Sequence, residues 1–120
     1  MMTVKATREG LIGARTATGY IVDRVVPFVA LPAWRALYRF VKVTNPKTGK
    51  STCAVVLDVG PWNEHDDDYV FGGDRPQAET GVDTRGRKTN RAGIDLSEHV
   101  WHALGMLDNS DVEWEFIDAT

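Results

Sequence analysis

The sequence predicts a mainly β fold that contains one short α-helix. Several runs are rich in β-branched and aromatic residues, which favour strands. Two of these runs are joined by a segment of strong turn formers, and a capping signal marks one helix, at about 97–104. The pattern indicates about six strands and one helix.

The first strands are expected at residues 3–8 and within 19–30, and a last strand is expected near the C-terminus. Pro27 requires an edge or a bend, because proline cannot donate to a strand ladder. Residues 112–117 alternate apolar with acidic side chains, which predicts a strand with one face in water.

The clearest hairpin joins residues 37–43 to residues 51–58. Its connection, 44–50, contains an Asn-Pro pair followed by glycine, a strong turn signal. Residues 53–57 are all apolar and include the single cysteine, Cys53. We therefore expect the second arm to be covered on both faces or to lie inside a barrel, with Cys53 buried and inert.

The helix has recognisable signals at both ends. Ser97 is a good N-cap, Glu98 suits the positive end of the helix dipole, and Gly105 is a suitable C-terminal stop. Trp101 lies on the apolar stripe of this helix, and it is expected in the core together with Trp34 and Trp114.

Residues 63–91 differ from the rest of the chain in composition. Apolar side chains are few there, acidic residues dominate the first part and basic residues the last part. Long loops of this kind tend to be functional or mobile, and the two charge blocks can pair across the loop.

Bulk properties exclude several classes of function. The chain has 120 residues and a net charge of -3, which gives no electrostatic footprint for nucleic acid or an anionic membrane. It has no apolar run of signal-peptide or membrane-spanning length. No cofactor motif is present. His99 and His102 have a spacing compatible with a metal, but a solvated pair is the better interpretation, so no metal is expected.

Asp58 and Asp95 are the candidate catalytic residues. Asp58 ends the apolar run 53–57, where burial would favour its protonated form and a general-acid role. Asp95 precedes the helix, whose N-terminus would stabilise its anion. Two carboxyl groups across a cleft are the minimum equipment for cleaving a glycosidic bond, at a separation of roughly 5–10 Å.

An ordered set of motifs resembles the rare lipoprotein A family, whose fold is related to expansins and family 45 glycoside hydrolases. The residues that carry the resemblance are Arg15-Thr16-Ala17-Thr18-Gly19, Asp23, Ala30-Leu31-Pro32, Val41-Lys42-Val43-Thr44-Asn45, Leu57-Asp58-Val59-Gly60-Pro61-Trp62 and Ile94-Asp95-Leu96-Ser97 with Ala103-Leu104-Gly105-Met106. The resemblance implies a six-stranded double-psi β-barrel, with residues 1–120 as one domain and 63–91 as an insertion. It also implies a cleft that holds both carboxylates.

The resemblance places the catalytic acid at Asp58 in the lytic transglycosylases and emphasises Asp95 in the expansin-related enzymes. Asp23, Tyr20 and Trp62 are expected to contact the substrate, Trp62 as a stacking platform for sugar rings.

Three departures from the family pattern affect the proposed chemistry. Phe28 occupies the position of a family histidine, and Val59 replaces an arginine. The insertion 63–91 replaces a short connection. A family 45 mechanism also requires an N-terminal carboxylate base, and Asp23 is the candidate.

The leading hypothesis is therefore lytic cleavage of peptidoglycan, without a cofactor. The alternatives are a non-catalytic, expansin-like module that binds peptidoglycan or another polysaccharide, and a phage-type structural or assembly protein of the same fold. If the cell-wall interpretation holds, the protein acts outside the cytoplasm or in a virion. The oligomeric state stays open.

Overall fold

A computed structural model describes residues 2–118; Met1, Ala119 and Thr120, the ends of the predicted domain, lie outside the described residues. Six strands close into a barrel in the order β1-β5-β2-β4-β3-β6. Their bounds are Met2–Arg8 (β1), Phe28–Leu31 (β2), Phe40–Thr44 (β3), Ser51–Val59 (β4), Ile94–Leu96 (β5) and Ser110–Phe116 (β6). The prediction of a mainly β, six-stranded barrel is confirmed.

Two of the six strand pairings are parallel. The β1–β5 and β2–β4 pairs are parallel, and all other neighbours are antiparallel. The short helices are α1 (Asp67–Val70) and α2 (Glu98–Ala103), with 3₁₀ turns at Trp34–Ala36 and Gln77–Thr80. The interior is filled by alternate residues of every strand, among them Val4, Ala6, Val29, Leu31, Val41, Val43, Ala54, Val56, Ile94, Leu96, Val112 and Trp114. None of the helices among residues 2–118 is long and apolar enough to cross a membrane.

The predicted hairpin is confirmed as β3 and β4, although β3 begins only at Phe40. The strand expected at 19–30 is largely wrong, since only β2 forms within it. The physical reason is local: the Asp23 carboxylate accepts hydrogen bonds from the backbone N–H groups of Val25 and Val26, which hold a turn instead of a ladder.

Of the two alternatives expected for β4, the structure shows a barrel strand and not a strand covered on both faces, and the expected burial of Cys53 is wrong. Ala54 and Val56 point into the barrel and are buried, whereas Val55 is only partly buried and Cys53 is exposed. The apolar run is therefore a one-sided strand whose outer face happens to be apolar.

The helix prediction is confirmed as α2. The Ser97 hydroxyl caps it by accepting a hydrogen bond from the Val100 N–H, and it also accepts one from the Phe28 N–H at 3.1 Å. Trp101 and Trp114 are buried as expected, but Trp34 is 44% exposed, because its 3₁₀ turn lies on the surface.

The segment 63–91 is ordered by contacts with the barrel. The Tyr69 hydroxyl donates to the Gly93 carbonyl at 2.9 Å and accepts from the Trp114 indole N–H at 2.8 Å, both in the interior. Gly93 permits this close approach, since a Cβ there would lie 3.0 Å from the Tyr69 hydroxyl. One ion pair joins the two charge blocks, that of Arg85 with Glu64 at 3.2 Å.

Candidate functional site

Four residues form a row across neighbouring strands of the barrel. Asp95 of β5 pairs with Thr7 of β1 on one side and with Ala30 of β2 on the other, and Ala30 in turn pairs with Asp58 of β4. Paired residues on adjacent strands present their side chains on the same face. Because their chain neighbours fill the interior, this row faces outward. We name Thr7, Asp95, Ala30 and Asp58 the carboxylate row.

A β-bulge brings Asp58 into the row. Val29 pairs with Val56, but the next residue, Ala30, pairs with Asp58, so Leu57 is an extra residue on β4. With regular pairing Asp58 would follow the side-chain direction of Val56 and point into the core. The extra residue reverses that direction and places the carboxylate on the outer face.

The Arg15–Gly19 turn holds Asp58 in place. The backbone N–H of Ala17 donates to Asp58 Oδ1 at 2.8 Å, and the N–H of Val59 donates to the same oxygen at 2.9 Å. The Thr18 hydroxyl donates to the Leu57 carbonyl at 2.9 Å, which fixes the turn against the bulge. This contact gives the Arg-Thr-Ala-Thr-Gly motif a structural role beside the row.

Glu9 adds a third carboxyl group that the sequence reasoning missed. It follows β1 directly, and its N–H donates to the Leu96 carbonyl at 2.8 Å. Burial raises the pKa of Glu9 to about 9, and the charge of Asp95 and a hydrogen bond with Asp58 act in the same direction. Glu9 is therefore a protonated carboxyl at neutral pH that touches Asp58 and lies near Asp95. The only sequence signal that could have placed Glu9 at the site was its position two residues after Thr7.

Asp95 behaves differently from the expectation. It lies on β5 rather than at the helix N-terminus, where Ser97 is the cap. Burial raises the pKa of Asp95 to about 7; the Thr7 hydroxyl, which donates to Oδ1, opposes the shift, and the charge of Asp58 adds to it. The predicted stabilised anion is thus wrong, and Asp95 gains or loses its proton near neutral pH.

Asp23 and Tyr20 form a separate group beside Phe28. The Tyr20 side chain, and after it the backbone N–H groups of Val25 and Val26, lower the pKa of Asp23, and the two N–H groups share one carboxylate oxygen. The Tyr20 ring meets Phe28 edge-on, with ring centroids 5.9 Å apart. Phe28 is fully buried on the same side of β2 as Ala30, so this pair adjoins the carboxylate row.

Trp62 is held in a defined orientation just beyond β4. Its indole N–H donates to Asn90 Oδ1 at 2.8 Å, and its carbonyl accepts from Arg87 Nη2 at 3.0 Å. These contacts support a backbone φ of +69°, a costly conformation for an aromatic residue. The half-buried ring keeps its position while part of its face stays accessible.

Trp62 also lines a groove of about 540 Å³, which runs from Val59 and Gly60 between the two limbs of the insertion. We name it the insertion groove. None of the three carboxyl groups lines it, so the groove adjoins the carboxylate row without containing it. Among residues 2–118, no group of three or more His, Cys, Asp or Glu side chains is arranged to hold a metal ion.

Over residues 1–115 the sequence matches the model of a family described as a domain of unknown function (DUF8814). The chain belongs to this family. No curated protein matches the sequence.

Two solved structures are similar to this chain in fold. Cerato-platanin 3 from M. perniciosa is 12% identical, with a TM-score of 0.56, over 98% of this chain and 95% of that one. The Streptomyces papain inhibitor is 18% identical, with a TM-score of 0.54, over 98% of this chain and 94% of that one. Both likenesses concern the fold alone, and they support a barrel of the double-psi type here.

Proposed function

We propose that this protein binds a polysaccharide across the outer face of the barrel, at the carboxylate row and Trp62. The observation that carries the proposal is the combination, around the end of β4, of half-buried carboxyl groups and an indole ring held in place by Asn90 and Arg87. Ligand sites of this kind combine apolar contact area with a few placed polar groups.

The chemistry of the site suits a sugar chain. Glu9 and Asp95 carry or exchange a proton near neutral pH, so the cluster offers both donors and acceptors to hydroxyl groups. The flat face of Trp62 matches the apolar face of a pyranose ring. Peptidoglycan is the proposed polymer because the ordered motifs resemble those of the rare lipoprotein A family.

Co-sedimentation with purified sacculi tests the binding. We expect the wild-type protein to pellet with sacculi and Trp62→Ala to stay in the supernatant. Trp34→Ala is the matched control, because it removes an exposed tryptophan that lines neither the row nor the groove, and it should pellet normally. Wild-type protein that does not pellet with sacculi, or equal loss in both variants, would contradict the proposal.

Glycosidic cleavage is the second candidate, favoured by the different proton affinities within the carboxyl cluster. Glu9 holds a proton at neutral pH, as a general acid requires, and it lies beside Asp58. Glu9 would donate that proton to the glycosidic oxygen as the bond to the anomeric carbon breaks. A carboxylate of the row would stabilise the positive charge and then accept the proton of the attacking sugar hydroxyl.

Release of soluble muropeptides from sacculi distinguishes the two functions. An enzyme should release product that both Glu9→Gln and Asp58→Asn abolish. A binding module should release none, and Asp58→Asn should still bind. Wild-type release no higher than that of Asp58→Asn would end the catalytic proposal and leave the binding proposal intact.

A further inference from the structure

The insertion groove has the size and lining of a ligand site. Its volume of about 540 Å³ is within the usual range for small-molecule sites, roughly 300–1,000 Å³. Its walls come from the two limbs of the segment 63–91, which are tied together by hydrogen bonds from Asn63 to Gln77 at 2.7 Å and from the Thr84 N–H to Asn63 at 3.0 Å. These hydrogen bonds hold the two walls of the groove in place relative to each other.

The lining consists mostly of planar polar side chains. Carboxylate, amide and guanidinium groups are all present, and Trp62 is the single aromatic residue. The two arginines are each paired, Arg85 with Glu64 at 3.2 Å and Arg87 with Asp83 at 2.6 Å, so the groove presents no strong positive charge. Planar groups that donate or accept in pairs suit vicinal hydroxyl groups, and their charge strengthens each hydrogen bond.

The groove adjoins the carboxylate row through the chain. Val59 and Gly60, which follow Asp58 in the sequence, line the groove, and Trp62 forms part of its wall. A polysaccharide that crosses the carboxylate row and stacks on Trp62 would next enter the insertion groove.

We propose that the insertion groove binds the continuation of the same polysaccharide, so that the protein recognises an internal stretch of several sugar units. This inference rests on the proposed function and adds a second binding region, supplied by the insertion. The groove residues would contact units that the row does not reach, and short oligosaccharides would therefore lose part of the binding free energy.

Calorimetric titration with chitobiose and chitohexaose tests the length dependence. For the wild-type protein we expect chitohexaose to bind at least about tenfold more tightly than chitobiose, because the longer ligand gains the groove contacts. The double variant Glu64→Ala/Arg85→Ala removes an exposed ion pair from the groove, and it should weaken chitohexaose by about threefold to tenfold and leave chitobiose unchanged.

The matched control is Arg75→Ala/Glu79→Ala, which removes a similar ion pair from the same insertion but outside the groove. It should bind both ligands as the wild type does. The inference is overturned if chitohexaose binds no better than chitobiose, if the groove variant keeps full affinity for chitohexaose, or if the two variants lose affinity equally.

Three further outcomes separate this inference from related ones. If the groove variant loses binding of an alanine–glutamate–lysine tripeptide while it keeps chitohexaose, the groove is a peptide site and the inference is wrong. Suppose that the wild-type protein binds sacculi, but chitohexaose binds no better than chitobiose and the groove variant binds chitohexaose as the wild type does. In that case only the groove inference fails. If the wild-type protein binds neither sacculi nor chitohexaose, the proposed function itself fails.

Discussion

Replacing Glu9 with glutamine should change how the stability of the protein depends on pH. Glu9 is a carboxyl whose pKa rises from 4.5 to about 9 in the folded protein, first because of burial. Below pH 4.5 both the folded and the unfolded chain hold the proton, so the ionisation of Glu9 does not lower the free energy of unfolding. Above that pH the unfolded chain releases it while the folded chain keeps it, so the free energy of unfolding falls as the pH rises toward 9.

The magnitude follows from the pKa difference. Each pH unit above 4.5 costs up to about 1.4 kcal/mol, so at pH 7 the upper bound is about 3.4 kcal/mol. Solvent reaches the partly exposed carboxyl and reduces this to about 1–3 kcal/mol. Glutamine has the same shape, is always neutral and still donates to Asp58, so Glu9→Gln should recover this free energy.

Urea unfolding of the two proteins at a series of pH values measures the effect. The curves should coincide near pH 4, and the advantage of Glu9→Gln should grow steadily up to about pH 9. Asp95 contributes to the pH dependence of the free energy of unfolding in both proteins, so its contribution cancels in the difference between them. Glu113→Gln on β6, away from the row, is the control and should run parallel to the wild type. If the Glu9→Gln curve also runs parallel to the wild type, the carboxyl cluster does not hold a proton and the reasoning is refuted.

Three other substitutions test particular contacts. Asn90→Ala removes the acceptor of the Trp62 indole N–H, and it should weaken binding to sacculi severalfold in co-sedimentation while the melting temperature changes little. Tyr69→Phe leaves two buried partners without a hydrogen bond, so it should cost about 2–4 kcal/mol in urea unfolding, and a cost near zero would show that the insertion is not anchored there. Asn45→Ala removes a buried hydrogen bond from the hairpin turn to the Leu104 carbonyl, and we expect a loss of about 1–3 kcal/mol by the same assay, with an unchanged midpoint contradicting the contact.

Local signals in the sequence were sufficient for the elements that depend on local chemistry. The turn at 44–50 and the Ser97 cap each involve residues close in the chain, and both form as expected. The overestimated strand at 19–30 shows the limit of propensity, because the backbone hydrogen bonds of Asp23 compete with a ladder there.

The site depended on contacts that no local pattern contains. Asp58 points outward only because Leu57 bulges against β2, and that pairing joins residues distant in sequence. Asp95 was interpreted from the helix that follows it, whereas β1 and β2 pair with β5 on both sides and bury its carboxyl. Glu9 could not be linked to either aspartate before the order of the strands was known.

The most direct test of the central claim is a chemical-shift map of the amide and indole N–H signals during titration with chitohexaose. Binding across the outer face predicts the largest changes at Ala17, Ala30, Asp95 and the Trp62 indole, with Lys42 and Glu115, which pair on β3 and β6, unchanged. Changes centred on Lys42 and Glu115, or no changes at saturating ligand, would contradict polysaccharide binding at the carboxylate row.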